Sequence, residues 1–131
     1  MRYGVLGPLA AWGDDESEIE FGGRNPRTVV AMLLAHANEV VSVDALVDAV
    51  WGEDVPSDPA ASLQVLISRL RKVLGAANLV SRRPGYVLHV GPDELDVEVF
   101  ERLSLEAQQA QDAGRTAEAV GRIQDALDLW R

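Results

Sequence analysis

The chain has 131 residues, no cysteine, 47% hydrophobic residues and a formal net charge of −9. That length suits one domain with a small extra, the apolar share excludes a disordered chain, and the missing thiols exclude a disulfide framework or a cysteine-based zinc site. No apolar run approaches the roughly 20 residues that span a bilayer, and MRYGVLGPLAAWGDDE turns acidic early, so a cytoplasmic protein without an export signal is expected.

The first 23 residues read as β structure. RYGVLG and PLAAW are short apolar runs split by Gly7-Pro8, and SEIEF alternates after the acidic turn Gly13 to Glu16. NPRTVVAMLLAHAN predicts a buried helix, capped by Asn25 with Pro26 at its first position and ended by Asn38. EVVS predicts a short strand. Ser42 is the expected cap of a second helix whose stripe is Val43, Leu46, Val47, Val50 and Trp51, and Gly52 stops it. Asp58-Pro59 repeats the cap-then-proline start, and a third helix is expected over 59–74 with Gly75 as its stop. NLV and YVLHV then predict a hairpin over 79–90, with Pro84-Gly85 in the middle of a type II turn. Strands, three helices and a hairpin directly after the third helix make the pattern of a winged helix.

The charge is unevenly spread. Residues 60–91 contain no Asp or Glu, yet carry Arg69, Arg71, Lys72, Arg82 and Arg83. Acids farther away than a Debye length of about 8 Å do not cancel such a patch. On a helical wheel at about 100° per residue, Ile67, Leu70 and Leu74 fall within about 40° of Leu63. Ala61, Val65, Ser68 and Lys72 lie opposite, with Ser62 and Arg69 on one shoulder and Arg71 and Gln64 on the other. That free face suits a major groove: Val65 or Ala61 against a thymine methyl, Arg69 on a guanine edge, and Ser62, Ser68, Arg71 and Lys72 on phosphates. Three cations near a helix C-terminus also complement its dipole on an ordinary solvated face. The missing acids and the Arg-Arg pair at a turn tip favour nucleic acid.

LQVLISRLRKVLG and LVSRRPGYVLHV together resemble the recognition helix and wing of the OmpR/PhoB-type winged-helix domain. RYGVLGPL, GGRNPRTVVAMLLAHANEVVSVDALVDAVWGEDVP and the acidic tail DELDVEVFERLSLEAQQAQDAGRTAEAVGRIQDALDLWR extend the likeness over essentially the whole chain. It is similar to the Streptomyces antibiotic regulatory protein family. The resemblance implies an α+β fold: a winged helix-turn-helix with an N-terminal antiparallel sheet, followed by an all-α tetratricopeptide-like hairpin. It implies a winged-helix DNA-binding domain over 1–91 and, over 92–131, the first helical hairpin of a truncated bacterial transcriptional activation domain.

The function implied is a DNA-binding transcriptional activator of a secondary-metabolite (antibiotic) gene cluster. It would act as a dimer on double-stranded DNA, at direct repeats, and contact RNA polymerase holoenzyme, with Gly52 to Ser57 resembling the polymerase-touching loop. Carried over by position, Arg69 contacts bases beside Val65, and Ser62, Ser68, Arg71 and Lys72 hold phosphates. Arg82 enters the minor groove next to Arg83, and either can lead. Trp51 and Tyr86 either flank the DNA backbone or fill the core.

In the tail, Phe100, Leu103, Ala107 and Ala110 form one stripe, and Ala119, Val120, Ile123, Ala126, Leu127 and Trp130 another. A hairpin of this kind does not bury its face alone, since about three repeats are needed. The chain is therefore expected to be the N-terminal part of a longer protein, with Ile123, Leu127 and Trp130 exposed. An enzyme is not expected: there is no phosphate loop, dinucleotide fingerprint or Cys nucleophile, and His36 and His89 neighbour no acid in sequence. No cofactor or metal is expected either. The alternative is a protein-interaction module whose basic strip binds an acidic protein partner or RNA polymerase.

Overall fold

The structure, a computed structural model, describes all residues from Met1 to Arg131. The elements in order are β1 (Arg2–Gly4), β2 (Ala10–Trp12), α1 (Arg24–Ala35), β3 (Val41–Ser42), α2 (Val43–Trp51), α3 (Pro59–Leu74), β4 (Leu79–Arg82), β5 (Gly85–Leu88), α4 (Asp96–Asp112) and α5 (Thr116–Leu127). The expected order of strands, three helices, hairpin and two further helices is observed. No helix is long and apolar enough to cross a membrane. Contacts gather the chain into two compact units, Ile19–Val90 and a second that joins Met1–Glu18 to Gly91–Arg131.

The unit Ile19–Val90 is the winged helix. Its core is built by one face of each helix: Val29, Val30 and Leu33 from α1, Leu46 from α2, and Leu63, Ile67, Leu70 and Leu74 from α3 are all buried. Leu66 is buried as well, which widens the α3 stripe beyond the four positions expected. The sheet has the order β3-β5-β4, all antiparallel, so the wing hairpin is anchored to the strand that precedes α2.

The punctuation holds for two helices. Ser42 Oγ accepts from Ala45 N at 3.0 Å and Asp58 Oδ1 from Ala61 N at 3.2 Å, each satisfying a free first-turn donor. Gly75 closes α3 with φ 98°. For α1 the expectation fails: it is capped by Gly23, with no side-chain cap, and Pro26 falls at its third position rather than its first. Proline is tolerated there because none of the first N–H groups has an intrahelical partner. The wing turn also differs. Its central residues are Arg83 and Pro84, joined by a cis peptide, while Gly85 already lies in β5 opposite Arg82. Gly85 is required by close approach instead, because a Cβ there would run into the Val41 backbone carbonyl.

The second unit packs the β1–β2 hairpin with the α4–α5 helical hairpin. Tyr3 bridges in parallel to Leu95, and Tyr3 N donates to Glu94 O at 2.6 Å. The Asp96 carboxylate, in the first turn of α4, accepts from Val5 N at 2.9 Å and Leu6 N at 3.0 Å. SEIEF is no strand; its only sheet pairing is an isolated bridge from Trp12 to Glu18. The helices meet through small residues, Ala107 and Ala110 from α4 with Ala119 and Ala126 from α5, all buried. The rest of the expected α5 stripe is open: Val120 and Ile123 are each 49% exposed and Leu127 60%. Trp130 meets Phe100 edge to face with ring centres 5.8 Å apart, yet keeps 54% of its surface free.

Candidate nucleic-acid interface

The −9 charge lies wholly in the second unit, which has five cations against 14 acids, whereas Ile19–Val90 balances seven against seven. Within that neutral unit the sequence segregates the signs. All seven acids precede α3, and five cations follow from α3 onward.

Helix α3 displays Val65, Ser68, Arg69 and Lys72 on its exposed face, and Val65 keeps 51% of its surface free. Ser62 is half-buried on the same side. Arg82 and Arg83 are exposed at the wing tip. None of Arg69, Lys72, Arg82 or Arg83 forms an ion pair, whereas Arg102, Arg115 and Arg122 of the α4–α5 hairpin all do. An open cationic face of this kind is electrostatically suited to a polyanion, because its charges need not first give up internal partners.

Three residues singled out from the sequence are less open than these cations. Arg71 is half-buried and turned to the wing: its Nε donates to Leu79 O at 2.9 Å and its Nη2 to Ser81 Oγ at 2.8 Å. Its guanidinium also lies 5.9 Å from the Tyr86 ring centre. Tyr86 is 8% exposed and serves the core, and Trp51 is half-buried at the end of α2. The helical wheel put Arg71 on a shoulder but could not say that the wing closes over that shoulder.

Arg24 is a residue the sequence reading passed over. It is exposed, has no ion pair, and lines a shallow groove with Gly22, Gly23, Asn25, Pro26, Leu66 and Arg69. The signal was present in GGRNPR, a helix start with cations and no acid in its first turn. No cluster of three or more His, Asp or Glu could hold a metal ion.

Residues 18–88 match the family described as "Transcriptional regulatory protein, C terminal". The chain belongs to that family. Residues 95–131 of this regulator match a second, "Bacterial transcriptional activator domain", and the pair of matches identifies a member of the Streptomyces antibiotic regulatory protein group. The regulator is 37% identical over 131 residues to regulatory protein AfsR of Streptomyces coelicolor, covering 99% of this chain and 13% of that one. Regulatory protein DnrI of Streptomyces peucetius is 37% identical over 142 residues, covering all of this chain and 52% of DnrI. A solved structure of Mycobacterium tuberculosis EmbR in complex with a low affinity phosphopeptide superposes with a TM-score of 0.93 at 34% identity, covering 99% of this chain and 36% of EmbR. The regulator thus spans about half or less of the length of these relatives. AfsR and DnrI are regulatory proteins, and EmbR is a transcriptional regulatory protein.

Proposed function

We propose that this chain binds double-stranded DNA sequence-specifically and activates transcription in the cytoplasm, at a secondary-metabolite gene cluster. The observation that carries this reading is the set of unpaired cations, Arg69 and Lys72 on α3 with Arg82 and Arg83 on the wing, across an acid-free stretch of an otherwise acidic protein. In this reading α3 enters the major groove. Arg69 reads a guanine edge, Val65 meets a thymine methyl, and Ser62, Ser68 and Lys72 hold phosphates. Arg82 and Arg83 reach the adjacent minor groove, where a narrow groove concentrates negative potential. Residues 1–91 act as the DNA-binding domain and 92–131 as the start of the activation domain. Two copies bind direct repeats head to tail, since one such unit covers only a modest surface, and the loop from Gly52 to Ser57 meets RNA polymerase holoenzyme.

The test is titration of the chain with a direct-repeat promoter duplex at several salt concentrations. Affinity should fall steeply with salt, with a log–log slope of about −0.9 for each phosphate neutralised. A flat response, or no binding to any direct-repeat duplex, would favour an interaction module whose basic strip meets an acidic protein.

A further inference from the structure

We infer that Arg71 is a positioning residue that locks the wing to the recognition helix, so that both grooves are read as one rigid unit. This rests on the DNA-binding reading above. Arg71 occupies the last turn of α3, two residues from Arg69 and adjacent to Lys72. Its two hydrogen bonds run to β4, one to the main-chain oxygen of Leu79 at 2.9 Å and one to the side chain of Ser81, Oγ at 2.8 Å. Ser81 is the register partner of Tyr86, whose ring lies under the same guanidinium. Facing residues of an antiparallel pair share one face of the ladder, so Arg71 grips the wing from a single side through both strands.

The next register pair is Arg82 opposite Gly85, on the other face. The clamp therefore holds one face of the hairpin and leaves the cation beyond it free to project. Within the sheet β4 is an edge strand of four residues, paired only with β5, so Arg71 adds a tie from α3 to the one wing strand that β3 does not hold. A guanidinium is suited to this role because its planar fork fixes two acceptors at once, whereas a lysine ammonium holds them as a mobile point charge.

A phosphate contact at position 71 would survive replacement by lysine, which also binds phosphate. A clamp would not. The experiment measures duplex affinity of the full chain for native protein, Arg71→Lys, the wing pair Arg82→Ala with Arg83→Ala, and the combination. The wing pair is expected to weaken native binding about tenfold, but to add less than about twofold in the Arg71→Lys background. Hydroxyl-radical protection in the minor groove should fade in Arg71→Lys while guanine N7 protection in the major groove persists, a separation that general loss of stability would not produce.

Arg71→Lys binding within about twofold of native, or a wing effect undiminished in its background, overturns the inference. Should Arg71→Lys fail to fold, Ser81→Ala, an exposed change, decides: a reduced wing contribution supports the clamp and a full one overturns it. Absence of any duplex binding by the native chain overturns the DNA reading and this inference together, whereas native binding with an unaltered wing effect overturns the inference alone.

Discussion

Asn38 and Val90 are joined by a closed pair of hydrogen bonds: Asn38 Nδ2 donates to Val90 O at 3.0 Å, and Val90 N donates to Asn38 Oδ1 at 2.9 Å. The side-chain amide thereby stands in for a strand partner just beyond β5, while the Asn38 backbone N–H donates to Leu88 O at 3.0 Å. The residue holds φ 66° to do so. Asn38→Ala is expected to destabilise the chain by about 2–3 kcal/mol, because two backbone groups lose partners and alanine tolerates the left-handed region less well than asparagine. Asn38→Gly should cost less, since glycine accepts that φ freely. Urea unfolding of the two variants separates the backbone part from the side-chain part.

Gly85→Ala tests the contact between β5 and β3. A methyl there meets the Val41 carbonyl, backbone against backbone, so the strands must part. A loss of about 2 kcal/mol or more is expected, in the range of overpacked cores. Thermal unfolding checks this, and a change within about 0.5 kcal/mol would mean that the sheet gives way more easily than its register implies.

Tyr3 is fully buried and its hydroxyl has no hydrogen-bond partner. Desolvation, with the nearby Glu94 charge, pushes its pKa up to about 12. The neutral phenol is therefore favoured in the folded state. Its stabilising effect is complete below the unfolded value near pH 10 and is lost as pH rises toward 12, about 2–3 kcal/mol in all. Tyr3→Phe removes an unsatisfied polar atom, so at pH 7 it should be neutral or stabilising by about 1 kcal/mol. Above pH 10 it should also flatten the fall in stability. Denaturant midpoints of both proteins between pH 7 and 11.5 test this, and a Phe variant clearly weaker at pH 7 would reveal a hydroxyl partner.

Arg69 and Lys72 should differ in kind. Arg69→Ala is expected to cost about 1–3 kcal/mol of DNA affinity and relax preference at one base position, whereas Lys72→Ala should weaken all sequences alike and lower the salt slope by about 1. Binding measured across a set of single-base operator variants distinguishes them. Equal losses on every sequence would remove Arg69 from base reading.

What the chain determines locally was legible in its letters. Ser42, Asp58-Pro59 and Gly75 set helix ends through contacts spanning four residues or fewer, and the spacing of Leu63, Ile67, Leu70 and Leu74 commits α3 to one buried face. The acid-free cationic stretch is likewise a property of composition. Tertiary structure decided what depends on a distant partner. It turned Arg71 from the solvent shoulder to Leu79 and Ser81, buried Leu66, and placed Gly85 in a strand instead of a turn. It also joined residues 1–18 to 91–131 through bonds such as Val5 N to Asp96, 91 positions apart. Periodicity and capping act within one helical turn and repeat along the chain. The choice of a far partner depends on which surfaces fold into reach, and no local pattern encodes that.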